Sequence, residues 1–263
     1  MVEGSPVTIT SDQLIAELST RLGETDPSRA VLAFDGDGTL WSGDVGEDLF
    51  RAALRDNFLV EAALPALFAE AEQHQVPLNG ARDANAVAGV LVAAYLAGRY
   101  PERETCAMMT WSYAGRALSD VQALAESVLE QESLATRLHP ELAPVLTWSR
   151  QRGLRNVLIS ASPRVVVEAA ARRWGFAPSD VAAATPAIAD GLVQARLAAP
   201  VPYAEAKLSA GRELFGNARW LAAFGDNVFD IDMLTTAELG VAVRPKPKLA
   251  TEVSALGLRL LAR

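Results

Sequence analysis

Cysteine is nearly absent: Cys106 is the only one in 263 residues. A single thiol can close no internal disulfide and build no cysteine-ligated zinc site. Histidine is almost as scarce, and His74 and His139 stand apart. No Lys/Arg-rich run occurs and the net charge is −8, which argues against nucleic acid and anionic membranes as partners. An anionic substrate would therefore need local positive charge or a metal. No apolar run reaches the length of a membrane span, and the first thirty residues do not combine a basic start with an apolar stretch. A cytoplasmic location is the default expectation.

The size allows burial of about three-quarters of the unfolded surface, enough for one large domain or a core with an insert. Spacing predicts a helix over 11–22 and an apolar strand over 30–34. Ala- and Glu-rich stretches with apolar residues three and four apart follow, predicting helices over 47–54, 60–72, 81–96, 102–109 and 118–131. After His139 the texture alternates. Helices are expected over 140–152, 163–174, 203–215 and 231–234, and strands over 156–159, 181–184, 192–197, 220–224 and 240–243. The pair 181–184 and 192–197 flanks an Asp190-Gly191 turn. Strand-helix alternation of this kind indicates an α/β fold with a parallel sheet.

The strongest chemical signal is Asp35-Gly36-Asp37-Gly38-Thr39, directly behind the first strand. In parallel sheets ligands bind at the carboxyl ends of strands, and glycines allow a sharp turn and close approach. Two carboxylates about 4 Å apart repel by roughly 4 kcal/mol at an effective dielectric near 20, so they call for a cation or a shared proton. Alone, the motif reads more readily as a solvated acidic turn joining a strand to a helix.

Three further segments change that balance. Ser160 ends a second apolar strand before a helix start at Pro163, a place suited to phosphate oxygens, although Ser162 there is also an ordinary cap candidate. Lys207 lies near a helix start, where a cation is disfavoured unless an anion accompanies it. Gly225-Asp226 ends a third apolar strand and Asp230 follows four residues on. Asp226 can reach a metal held by Asp35, and Asp230 its water or a neighbouring ligand. Asp232 is assigned no role.

Together these segments resemble the haloacid dehalogenase superfamily, over about 130 core residues and in the family's order. The resemblance implies a Rossmann-like parallel sheet with an inserted cap, and Mg²⁺-dependent hydrolysis of phosphomonoesters. Asp35 would be the nucleophile forming an aspartyl-phosphate, and Asp37 the acid that protonates the leaving alkoxide and then activates water. Mg²⁺ would bind the Asp35 carboxylate, the Asp37 main-chain carbonyl and Asp226, with Asp230 beside them. Ser160 and Lys207 would hold phosphoryl oxygens and Thr39 would support the loop. Dehalogenases of the superfamily lack the second aspartate, and its transport ATPases carry lysine where Gly36 stands, so Asp37 and Gly36 favour a phosphatase.

Only 46 residues separate Ser160 from Lys207, whereas the stretch between Asp37 and Ser160 far exceeds one strand-helix unit. An all-helical cap over 44–134 is therefore expected between core parts 1–43 and 135–263. That arrangement looks most like the phosphoserine-phosphatase branch, in which Asp44, with Glu47 its neighbouring candidate, would read the substrate amine. The chain departs from that branch in three ways. It has no basic residue between Glu104 and Arg116 to read a carboxylate, Ala161-Ser162 stands for two glycines, and Phe229 for an asparagine. Phosphocholine is the related alternative, with Asp44, Trp41, Trp111 and Tyr113 around a quaternary ammonium. A phosphotransferase and a silent binding protein of the same fold are the other readings. The expected partner is a small phosphorylated metabolite, and oligomeric state leaves no mark in the sequence.

Overall fold

The computed structural model describes residues 6–263. Its main sheet is built from seven parallel strands. In chain order these are β1 Val7–Ile9, β2 Ala30–Phe34, β3 Arg155–Pro163, β4 Val181–Ala184, β7 Arg219–Gly225, β8 Gly240–Val243 and β9 Arg259–Leu261, in the spatial order β1-β9-β8-β7-β2-β3-β4. β5 Pro186–Ala189 and β6 Leu192–Leu197 form a separate antiparallel hairpin. The chain leaves β2 toward β3 on one side and returns to β7 on the other. Such reversals of strand order open a crevice at the carboxyl edge.

β2 sits at the centre because each of its five residues is apolar and buried on both faces, as a strand covered by helices requires. On one face its side chains join Leu14 of helix α1 (Ser11–Leu22), Leu146 of α8 (Ala143–Gln151) and Val167 of α9 (Arg164–Ala171). On the other they meet Met233 of α11 (Ile231–Thr236) and Leu249 of α12 (Pro247–Glu252), with α10 (Ala206–Phe215) alongside. Phe34 stacks on Phe224 of β7 at 4.3 Å between ring centroids, and the Asp35 N–H donates to the Phe224 carbonyl at 2.9 Å. The residues that follow these two phenylalanines are therefore held side by side.

Between β2 and β3 the chain is helical: α2 Val45–Arg55, α3 Leu64–Gln73, α4 Ala84–Leu96, α5 Glu102–Trp111, α6 Leu118–Gln131 and the single turn α7 Leu134–Arg137. Leu49, Leu91, Met108 and Leu129 of this segment belong to the same apolar cluster as Leu32 and Phe34. The helices of this segment pack on one another and, through α5, on the end of β3. Among the described residues no helix is long and apolar enough to cross a membrane.

Three differences from the sequence reading have local causes. β6 pairs with β5 rather than with the run 181–184, because Asp190 and Gly191 both take positive φ, 50° and 76°, and so turn the chain back onto the residues just before them. β1 and β9, at one side of the sheet, are three residues each, too short for periodicity to register. The helix expected from 203 starts at Ala206, since Ala204 takes φ 50° and breaks the turn ahead of it.

Candidate active site

Asp35 leaves β2 at its carboxyl end and is 6% exposed. Its Oδ1 accepts from Lys207 Nζ at 2.7 Å, and the same ammonium donates to Asp230 Oδ1 at 2.5 Å. Lys207 lies in the first turn of α10 and is buried. The two carboxylates are what offsets its unfavourable place at a helix start, and they hold its pKa above the ordinary lysine value despite burial. Asp230 Oδ2 in turn accepts from the N–H groups of Asp226 and Asn227 at 3.1 and 3.0 Å. One oxygen of Asp230 thus orients the lysine and the other shapes the loop after β7.

Asp35, Asp226 and Asp230 place carboxylate oxygens within 4.8 Å of one another. Gly38, at φ +84°, makes room for them: a Cβ there would stand 2.1 Å from Asp226 Oδ2. At Gly225 a Cβ would lie 2.6 Å from the Asp230 Cβ. Neither glycine can take a side chain without moving a carboxylate. Burial raises the pKa of both Asp35 and Asp226; Lys207 opposes this at Asp35, while the negative charges of the other aspartates reinforce it at both. Three buried oxygen donors and a net excess of negative charge suit a hard divalent cation such as Mg²⁺.

Asp37 points elsewhere. Its Oδ1 accepts from the Trp41 indole N–H and from the Val45 N–H that opens α2, both at 2.8 Å, and its Oδ2 accepts from the Ser162 hydroxyl at 2.7 Å. Only its main chain remains for a metal. Burial by the surrounding protein, and then the charge of Asp44, push its pKa up to about 7, against the pull of those donors. The two aspartates of one turn therefore occupy different environments, one facing ammonium and carboxylates, the other neutral donors.

Ser160 is buried, and its hydroxyl accepts from the Ser162 N–H at 3.1 Å. β3 runs on past the expected end at 159 to Pro163, with a register shift against β4 between Ile159 and Pro163. Such an irregularity re-aims side chains away from the ladder, and here it turns Ser160 and Ser162 into the same cavity as Asp35 and Asp37. Thr39 is buried and its Oγ1 has no hydrogen-bond partner. The loop is supported through its main chain instead: His139 Nδ1–H donates to the Thr39 carbonyl and the Ser42 hydroxyl donates to His139 Nε2, both at 2.8 Å. Burial lowers the His139 pKa, consistent with this neutral imidazole.

The cavity holding Asp35, Asp37, Ser160, Lys207, Asp226 and Asp230 has a volume of about 70 Å³. Asp44 lines it as well as capping α2, its Oδ1 accepting from the Glu47 N–H at 2.8 Å, and burial pushes its pKa up to about 6. Glu47 lies instead on a neighbouring apolar cavity of about 240 Å³ beside Phe50, Tyr95 and Met109. Glu102 and Cys106, one turn apart on α5, and Tyr203, Phe229 and Lys246 also line this cavity. Sequence reasoning missed these five as site residues. For Glu102 and Cys106 the local signal is their i, i+4 spacing on one helix. Of the aromatics considered for an ammonium site, Trp41 serves Asp37, and Trp111 and Tyr113 are buried outside the cavity. Tyr203 and Phe229, 4.5 Å apart between centroids, are the aromatic wall that is present.

A family model described as haloacid dehalogenase-like hydrolase matches residues 32–235. The chain belongs to that family. No curated protein sequence matches it. Among solved structures, this haloacid dehalogenase-like chain is similar to a protein with unknown function from Bordetella pertussis Tohama I at TM-score 0.69 and 18% identity, over 89% of this chain and 99% of that one. A probable phosphoserine phosphatase from Vibrio cholerae aligns at TM-score 0.54 and 15% identity, over 88% of this chain and 61% of that one. A substrate-bound phosphoserine phosphatase complex aligns at TM-score 0.50 and 15% identity, over 88% and 91%. At such identities the likeness is one of fold.

Proposed function

We propose that this hydrolase cleaves small phosphomonoesters through an aspartyl-phosphate on Asp35, with Mg²⁺ and a phosphoserine-like substrate. The observation that carries the reading is the separation of Asp35 from Asp37 into unlike environments, which suits one for nucleophilic attack and the other for proton transfer. Asp35 attacks phosphorus as the bond to the ester oxygen breaks, and Asp37 gives its proton to that oxygen. Water then attacks the aspartyl-phosphate and returns a proton to Asp37. Lys207 and Ser160 hold phosphoryl oxygens where charge spreads in each displacement. Asp35, Asp226 and Asp230, with the Asp37 main chain, would hold Mg²⁺, which neutralises charge between nucleophile and phosphate when bound. In this reading the helical segment 44–134 acts as a cap between core parts 1–43 and 135–263, bringing Asp44 and Glu102 to the leaving alcohol.

Tyr203 and Phe229 beside Asp44 and Glu102 favour a second substrate, a quaternary ammonium ester such as phosphocholine. A panel of O-phosphoserine, O-phosphoethanolamine, phosphocholine and p-nitrophenyl phosphate, assayed for phosphate release, separates these cases. With Mg²⁺ turnover is expected, and excess chelator should lower it by about 100-fold or more. Undiminished turnover in chelator would count against the metal.

Stability should report the same site. Asp37 with its pKa near 7, and Asp35, Asp44 and Asp226 also raised, bind protons in the folded state that the unfolded chain has released above its carboxylate pKa of 3.8. The metal-free protein should therefore lose stability as pH rises from about 4 to 7, by up to roughly 1.4 kcal/mol per pH unit for each such group. Mg²⁺ competes with those protons. Thermal melts should show a larger Mg²⁺-induced rise in Tm at pH 7.5 than at pH 5, and an equal rise at both would contradict the assignment.

A further inference from the structure

We infer that Lys246 reads a carboxylate on the leaving alcohol, which makes the preferred substrate zwitterionic. The inference rests on the phosphatase reading and sharpens its substrate class.

Two lysines line the active cavity. Lys207 is buried between Asp35 and Asp230, which take two of its three N–H donors, and in the phosphatase reading the third serves the phosphoryl group rather than the leaving alcohol. Lys246 differs in every respect. Its side chain is 55% exposed, and its Nζ lies 3.3 Å from Asp226 Oδ2, a longer and wetter contact than either made by Lys207. Asp226 is buried, but the lysine end of the pair is open to solvent and only one of its three N–H donors is engaged, so the ammonium can serve a second anion without releasing the first.

Its main chain, by contrast, is fixed. The Lys246 N–H donates to the Asp226 carbonyl at 2.7 Å. Two residues earlier, Arg244 takes φ 43°, a left-handed conformation that a non-glycine residue keeps only when its surroundings impose it. They do so here: the Arg244 guanidinium makes a two-pronged pair with the buried Glu141, at 2.6 and 2.9 Å. That bracing turns the chain after β8 over the carboxyl edge of the sheet and delivers Lys246 to the rim.

The facing wall has the opposite sign. Asp44 and Glu102 come from the helical segment, and burial raises the Glu102 pKa against the positive charges of Lys246 and Lys248. The helical segment itself offers no basic residue between Glu104 and Arg116. A leaving alcohol bearing an ammonium and a carboxylate would place the first toward Asp44 and Glu102 and the second on Lys246. An amino alcohol without a carboxylate would leave Lys246 unused.

The test compares wild type, Lys246→Met and Lys246→Arg on O-phosphoserine, O-phosphoethanolamine and p-nitrophenyl phosphate, with Mg²⁺ present. Wild type should favour O-phosphoserine over O-phosphoethanolamine by about tenfold or more in kcat/KM, the value of one charge-assisted contact. In Lys246→Met that ratio should fall by about the same factor, mainly through KM, and Lys246→Arg should restore most of it. Parallel losses on both amino alcohol esters would overturn the inference, because the ammonium would then be serving Asp226. So would a wild-type preference for O-phosphoethanolamine. Hydrolysis of p-nitrophenyl phosphate alone would defeat the zwitterion and leave the phosphatase chemistry standing. No hydrolysis of any ester would remove that chemistry, and this inference with it.

Discussion

Asp35→Asn is expected to lower turnover by about 10⁴-fold or more while leaving the protein folded. The amide matches the carboxylate in shape but cannot attack phosphorus as an anion, and no neighbouring group can replace it. Asp230 is committed to Lys207 and two main-chain N–H groups. Asp37 is committed to Trp41, Val45 and Ser162. Folding should survive, because Lys207 keeps Asp230 as its partner and the change removes one of three crowded negative charges. In metal-free protein Tm should therefore be unchanged or higher. The decisive readout is covalent: acid-quenched wild type incubated with substrate should carry one added phosphoryl group by intact mass, and Asp35→Asn none. A variant that keeps more than about 1% of activity and still takes up phosphate would end the nucleophile assignment.

Asp37→Asn should cost roughly 10²- to 10⁴-fold, and unevenly. An alkoxide such as that of serine leaves poorly without a proton, whereas p-nitrophenolate leaves readily as an anion. Loss should be largest on O-phosphoserine and smallest on p-nitrophenyl phosphate for formation of the aspartyl-phosphate. Because Asp37 also activates water in the second displacement, phosphorylated enzyme should accumulate with the activated ester. The raised pKa, about 7, predicts that wild-type kcat/KM for an alkyl ester falls as pH rises beyond it, since the acid form is lost. In Asp37→Asn that limb should vanish. Equal losses on both esters would mean that Asp37 only shapes the loop.

Much of this was readable from local pattern. β2, β3, β7 and β8 are built on short apolar runs, the first three closed by Asp, Ser and Gly, and burial on both faces leaves such runs few other places to go. The carboxyl ends of these strands carry Asp35, Ser160 and Asp226, so finding the strands located most of the site. The remainder depended on tertiary facts. Periodicity shows that α5 has an apolar face, but not that Glu102 and Cys106 on another face look into the cavity. Ser162 read as a helix cap and instead holds Asp37, because the β3 irregularity shifts it inward. His139 carried no motif, and its work is to brace a main-chain carbonyl one hundred residues away. Lys246 depends on an Arg–Glu pair spanning 103 residues, which no local reading supplies.

The bond from the Val45 N–H to Asp37 has a mechanical side. Asp37 is fastened both to the sheet, through Ser162 of β3, and to the foot of α2, the first element of the helical segment. A carboxylate keeps its proton more tightly as it loses donors. Any tilt of α2 that lengthens this bond would make Asp37 a weaker acid, and any return would make it a stronger one. Helix position and proton affinity are in that sense one variable, so a distant substitution that merely loosens α2 should be felt as a change in acidity at the catalytic turn.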